Sequence, residues 1–329
     1  MSIAFDIGLV ALLLAVAAWT IAVRDSFAAV VAFVVYGLLL SLAWVRLYAI
    51  DVALTEAAIG SGVTGMLLLS AAARLRRTEA AALETGMPVR LVAGAFCTLI
   101  SVGLATAVLF LSEPAPTLAP TAVADLPASG LGNPVAGVLF VYRSLDTLLE
   151  KVVLLLALLG VWSLAPDRLW GGAPGLRAFG QPGAILAFLA QLLPPIGILV
   201  GIYTAWTGSN YPGGAFQGGA ALAAMWLLVM IAGLRHVPPI SLRWMRLLLA
   251  IGPAIFLAIG VAGIVLAGAF LAYPAGYAKP LIIAIEAALT LSIGVTLGLL
   301  AAGPPERMPQ RYSGFVARRW LGSDCSGSS

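Results

Sequence analysis

Charged side chains are scarce in this sequence. Asp, Glu, Lys and Arg make up 10% of its 329 residues, against roughly 25% in soluble domains. Too few polar side chains remain to cover a water-facing globule, so composition excludes a soluble domain and points to an integral membrane protein. Histidine occurs once, at His236, and cysteine twice, at Cys97 and Cys325. Haem, zinc and iron–sulfur sites draw on more ligands than these. No metal site, cofactor or redox chemistry is therefore expected on this chain, and no catalytic residues are assigned. Cys97 lies in an apolar run and Cys325 in a polar tail, which argues against a disulfide. No Lys or Arg precedes the first apolar run, MSIAFDIGLVALLLAVAAW, whereas a secretory signal starts with a basic segment. That run is expected to be a retained first helix. Strand-like alternation is not sustained anywhere.

What is abundant is apolar: 61% of residues are hydrophobic, and the mean hydropathy is +1.05. A helix needs about 20 mostly apolar residues to cross a bilayer. Nine stretches qualify, near 3–23, 27–46, 50–73, 90–112, 134–163, 182–205, 213–234, 246–272 and 279–301. The expected fold is thus all-α, with about nine transmembrane helices in two bundles of five and four. Fourteen of the 18 basic residues fall on one side if the 74–90 loop is cytoplasmic. The opposite side receives only Arg46 and Lys279, while Arg143 and Lys151 lie within a span. The positive-inside rule then places the N-terminus outside and the C-terminus inside. It also accounts for the net charge of +4 without a nucleic-acid partner. The outer segment 113–133, rich in Pro and Ala, is expected to be irregular and exposed. A cytoplasmic linker, 165–181, separates a module at 1–164 from one at 182–303, and 304–329 forms a cytoplasmic tail.

Within the fifth span, YRSLDTLLEK holds Arg143, Asp146, Glu150 and Lys151. A charge at mid-bilayer costs from about 2.5 to more than 10 kcal/mol, so intramembrane ionisable groups read as functional by default. At roughly 100° per residue these four and Thr147 share an arc of about 140°. Asp146 and Glu150 would repel if both were ionised, and Arg143 and Lys151 bracket them, which suits a proton relay. A salt-bridged ladder against a neighbouring helix is the structural alternative. In the third span, DVALTEAAIGSG places Asp51 near the outer end and Glu56 roughly one and a half turns deeper. Asp51 fits an interfacial marker, and Glu56 an ion or proton pathway. Glu286 stands alone in the ninth span, seven residues beyond Lys279; a proton path and a Lys279 tether both fit it. The segment GSNYPGGAFQGGAALAA carries Gly213, Gly214, Gly218 and Gly219, a strip on which helices approach closely. Its side-chain amide, Gln217, leaves open a broken helix that binds an ion or water.

Three stretches in order carry a family resemblance. DVALTEAAIGSG and VYRSLDTLLEKVVLLLALLGVWSL resemble the carboxy-terminal part of the large A subunit of Mrp-type cation/proton antiporters, equivalent to the small D and E subunits of membrane-bound hydrogenases. NYPGGAFQGGAALAA resembles the B subunit of those antiporters, equivalent to the hydrogenase F subunit. The resemblance covers 1–112, 133–164 and 181–301. It implies a multi-pass component of a hetero-oligomeric complex in a prokaryotic plasma (inner) membrane, moving H+ or Na+, with Glu56, Asp146 and Glu150 on the ion route. It implies a transporter component and not an enzyme. A membrane arm of a redox-driven pump and a purely structural scaffold are the alternatives. The chain departs from the pattern at Ser144 and at Lys151, whose ammonium beside Glu150 is expected to hold that acid ionised.

The charge distribution makes a direct prediction. An alkaline phosphatase fused after residue 121 should be active, and one fused after residue 80 inactive. The reverse pattern would refute the assigned orientation.

Overall fold

The computed structural model describes residues 3–75, 86–112, 117–175 and 183–306. Arg76, Arg77, Arg177, the four tail arginines from Arg307 onward, Cys325, most of the 74–90 loop and the end of the 165–181 linker lie outside them. Among the described residues the chain is helical, with one isolated bridge between Pro174 and Pro305 and no strand. The helices are α1 (Ile3–Ala22), α2 (Ser26–Arg46), α3 (Ile50–Thr55), α4 (Thr64–Leu75), α5 (Met87–Leu109), α6 (Ala119–Asp125), α7 (Pro134–Gly137), α8 (Ser144–Ser163), α9 (Ala184–Thr207), α10 (Ala215–Ile231), α11 (Arg243–Ala267) and α12 (Ala278–Ala302). A π-helical segment, Glu56–Val63, joins α3 to α4, and a second, Val138–Tyr142, follows α7.

Seven helical stretches are long and apolar enough to cross a membrane. Two of the nine expected spans fall short by those measures. α8 has 20 residues but carries Asp146, Glu150 and Lys151. α10 is apolar but has only 17 residues. The expected single helix over 134–163 is also interrupted: Arg143 leaves the helical region (φ −130°, ψ 37°) between the π segment and α8. Backbone groups freed inside a bilayer must be satisfied within the protein. Here Thr147 Oγ1 donates to the Leu139 carbonyl at 2.6 Å and Tyr273 to the Phe140 carbonyl at 3.0 Å. Ser144 Oγ also donates to the Phe140 carbonyl.

α12 is the axis of the fold, packed by α8, α9, α10 and α11. Its inner face is enclosed: Ile282, Ile285, Ile293 and Leu299 have no exposed surface, and Glu286, Ser292 and Thr296 are buried on the same helix. The expected division into separate bundles of five and four does not appear. One core cluster joins Phe140 and Leu148 of the front half to Phe256, Ile285 and Leu289 of the back half, and a second joins Leu158 and Trp162 to Met245 and Leu299. The cause is α8, whose apolar flank sits against α11 and α12. α1 and α2 pair at the edge, fastened by Arg46 to Asp6 at 2.7 and 2.9 Å. α5 buries none of its residues against the chain.

The connection expected to be irregular and the linker both carry structure among the described residues. Within 113–133 the described residues form α6 and a 3-10 turn (Leu126–Ser129), and Leu126, Leu131 and Asn133 are buried. The start of the linker is sewn to the back half: Ile240 N–H donates to the Gly172 carbonyl at 3.1 Å and Gly175 N–H to the Pro304 carbonyl at 3.0 Å.

Glycine sets the closest helix contacts. A Cβ at Gly218 would stand 2.6 Å from the Gly201 carbonyl oxygen of α9, and one at Gly219 2.8 Å from Ile293 of α12. Gly218→Val should therefore force α9 and α10 apart and cost about 1–3 kcal/mol. It would be read as earlier melting of the detergent-purified protein. Gly103→Ala on α5, where nothing lies within 4 Å, is the control that should melt normally.

Candidate functional site

The acidic groups fall into three places. The first is the π segment of the third span. Such segments concentrate at functional sites because the extra residue per turn redirects a side chain. Glu56 is its first residue. Glu56 Oε1 would stand 3.1 Å from a Cβ on Gly37 of α2, and Ser61 Oγ approaches the same point more closely still. Gly37 and Gly60 leave room for the carboxylate by having no side chain. Ser61 Oγ is buried and has no hydrogen-bond partner among the described residues.

The second place joins the two halves of the chain. Asp51 is buried within the chain, 8% exposed. Its Oδ1 accepts from the Gly213 N–H at 2.9 Å and from Asn133 Nδ2 at 3.4 Å. Asn133 Nδ2 also donates to the carbonyls of Gly208 and Tyr211, at 3.0 and 3.1 Å. Its Oδ1 caps α7 through the Val135 N–H. Gln217 Nε2 donates to Thr55 Oγ1 at 2.9 Å. The turn between α9 and α10 is thus held by residues 75 to 162 positions away in sequence. Gly213 and Gly214 have φ of 147° and 135°, which L side chains rarely adopt. Glu286 lies beside this turn, 3% exposed. No hydrogen bond to its carboxyl group is formed among the described residues. The tether to Lys279 is absent; Lys279 Nζ donates to Asn210 Oδ1 at 2.8 Å instead.

The third place is α8, where the expected single charged face is split. Arg143 pairs with Asp146 at 2.5 Å, and these side chains are 68% and 47% exposed. Glu150 is exposed on the same outward side. Asp146, Glu150, Leu154 and Phe216 line a shallow groove of about 540 Å³. Thr147 and Lys151 point the other way. Lys151 is 1% exposed and its Nζ donates to Thr296 Oγ1 of α12 at 2.8 Å. Lys151 therefore does not bracket Glu150. Adjacent residues on a helix diverge by roughly 100°, and α12 offers a hydroxyl on the inner side only.

Sequence reasoning missed Asn133 and Thr55. Asn133 had a readable signal, as an Asn before Pro134 at a helix start. Thr55 had none beyond its neighbour Glu56.

Comparisons with known proteins match two parts of the chain. Residues 11–77 match the family model MbhD, the D subunit of MBH. Residues 185–303 match a domain related to the MnhB subunit of Na+/H+ antiporter. An uncharacterized protein of Methanocaldococcus jannaschii is 32% identical over 154 residues, covering 42% of this chain and 59% of the relative. Among solved structures, a chain of the Mrp complex from Dietzia sp. DQ12-45-1b has the same fold over 92% of this chain and 35% of its own length, with TM-score 0.73 and 24% identity. A chain of the membrane-bound sulfane sulfur reductase, an archaeal respiratory membrane complex, matches at TM-score 0.53 and 22% identity over 65% of this chain and 97% of its own.

The Lys151–Thr296 contact makes a prediction. Thr296→Val should leave a buried ammonium without an acceptor and destabilise the protein by about 1–3 kcal/mol. Lys151→Met should be tolerated, and should cancel most of the loss when combined with Thr296→Val. Equal melting of the single variants would show that the contact contributes nothing.

Proposed function

Because the chain joins a module like the MBH D subunit to an MnhB-related domain, we propose that it is a membrane component of a multisubunit Mrp-type cation/proton antiporter in a prokaryotic plasma membrane. It would be a transport component and not an enzyme. In this reading α8 and α10 complete nine spans with the seven longer apolar stretches, with the N-terminus outside and the C-terminus inside. The modules run from 1 to 164 and from 182 to 303. The chain carries part of a proton or Na+ route through Glu56, Asp146 and Glu150.

The observation that carries this reading is the outward face of α8. Arg143, Asp146 and Glu150 project away from their own chain on a helix of bilayer length. Hydrocarbon cannot cover such a face cheaply, whereas another subunit or a hydrated route can. Glu56, with an unpartnered serine hydroxyl at its side, supplies a second carboxylate inside the chain. The unburied α5 adds a further surface for lipid or for other subunits.

A second reading has support from the likeness to a respiratory membrane complex. Under it the same carboxylates serve a redox-driven pump, and electron transfer belongs to other subunits. Purifying the intact complex separates the two readings: co-purifying cluster-binding subunits favour the pump, antiporter subunits alone the antiporter.

The route itself is tested by Glu56→Gln and Glu150→Gln. Both should abolish cation-dependent proton movement in everted vesicles while native gels show an assembled complex. Normal transport in both variants would remove these acids from the route. Loss of assembly with normal transport per assembled complex would mark a scaffold instead.

A further inference from the structure

We propose that Glu286, Gln217 and the Gly213–Gly214 turn form a binding site for a small monovalent cation, of the Na+ or Li+ class, in the space left by the missing side chain of Gly214. The proposal deepens the ion-route reading and rests on it only for the purpose of the ion, not for its binding.

Depth comes first. Glu286 lies eight residues into α12, about 12 Å below the start of that helix at 1.5 Å per residue. α10 begins only at Ala215, beside Glu286. The connection from α9 to α10 therefore reaches about two turns down along α12. Irregular backbone at such depth is tolerated where it is enclosed by protein or lines a cavity, and broken helices there are where ion sites are built. Asp51, Asn133 and Thr204 hold the connection: Gly213 N–H donates to Asp51, Asn133 donates to the Gly208 carbonyl, and Gly214 N–H donates to the Thr204 carbonyl at 3.0 Å.

Two oxygen atoms then face one point. A Cβ on Gly214 would stand 3.4 Å from Gln217 Oε1 and 3.5 Å from Glu286 Oε1. One on Gly208 would stand 3.1 Å from the same Glu286 oxygen. Gln217 Nε2 is spent on Thr55, so the amide turns its acceptor, not its donor, toward the glutamate. Glu286 is 97% buried, since only 3% of its surface is exposed, and its carboxyl group has no hydrogen bond among the described residues. A buried carboxylate facing an amide oxygen with no donor between them is unfavourable unless a proton or a metal cation sits there.

The size and charge of the ligand follow. Hard cations take oxygen ligands at about 2.3–2.6 Å when they are calcium-sized. The vacant space is one side chain wide and closed by the backbone of Gly208, whose Cβ would already stand 2.6 Å from Gly214 Cα. That favours a small ion. Asp51 Oδ1 is turned to the Gly213 N–H, so Glu286 supplies the negative charge that faces the space, and a monovalent ion balances it. The positive end of α10 opposes a cation. The negative end of α9, which stops at Thr207 next to Gly208, offsets it.

The test is equilibrium binding of radioactive sodium to the purified intact complex, with Li+, K+ and choline as competitors. Wild-type complex should bind Na+ saturably, displaced by Li+ before K+ and not by choline. Glu286→Gln, which keeps the shape and removes the charge, should lose one site per copy of this chain. Gln217→Leu should weaken that site about ten-fold or more, the scale of loss when groups supporting an ion site are removed; this variant also decides the matter if Glu286→Gln does not assemble. Unchanged number and affinity of Na+ sites in both variants would overturn the site whatever transport does. So would an absence of sodium binding in the wild type together with an infrared carboxylic-acid band lost in Glu286→Gln, because the site would then take a proton only. Lost Na+ binding in Glu286→Gln with normal antiport would leave the site standing and remove it from the route.

Discussion

Asp51 fastens the turn between α9 and α10 to the front half of the chain, and the arrangement of the interior depends on it. In a bilayer every backbone N–H and C=O must find its partner inside the protein. The turn from Gly208 to Gly214 has too little helix to satisfy itself. Asp51 takes the Gly213 N–H, and Asn133 takes the Gly208 and Tyr211 carbonyls while lying against Asp51. That knot fixes where α10 starts, and it adds to the Lys151–Thr296 and Tyr273–Phe140 hydrogen bonds that also cross between the halves. A dispersion-packed interface between helices is weakly specific in lipid. The knot supplies register.

The same rule explains the two other departures from regular helix. At Glu56–Val63 small residues allow the chain to widen into a π segment without colliding with α2, since Gly37 and Gly60 lie where the Glu56 side chain passes. At Arg143 the helix breaks, and Thr147, Ser144 and Tyr273 collect the carbonyls that the break releases. Each irregularity sits beside a carboxylate. A straight helix would have spent its backbone groups on itself and left these side chains in unbroken hydrocarbon.

Much of the architecture was legible from hydropathy alone. The long apolar runs of α1, α2, α5, α9, α11 and α12 match the spans expected from the sequence to within a few residues, because length and apolarity are local properties. The pairing of halves was not legible. Five spans, a Pro- and Gly-rich linker and four more spans suggest two bundles, yet α8 buries Leu148 and Leu158 among residues of the back half. Nothing in a sequence of Leu and Val says which helix faces another. Glu56 and Glu286 stood out because an acid in an apolar run is conspicuous. Asn133 did not, since an Asn at the end of a Pro-rich loop has an ordinary explanation as a cap. Its second role depends on Gly208, 75 residues away.

α8 shows where helical periodicity is too coarse a guide. Glu150 and Lys151 are neighbours in sequence and an ion pair on paper. The structure sends one outward and the other inward to Thr296. The outward pair, Asp146 and Glu150, keeps access to another subunit or to water, and Arg143 remains within reach of Asp146. The inward lysine faces a neutral hydroxyl and is not paired with Glu150. An acid so placed can release and recover a cation with little rearrangement of its chain, whereas an acid locked to Lys151 would have to break a buried ion pair each time. With the lysine on the inner face, the outer carboxylate is left outside any buried ion pair, and helix geometry accomplishes this with a shift of a single residue.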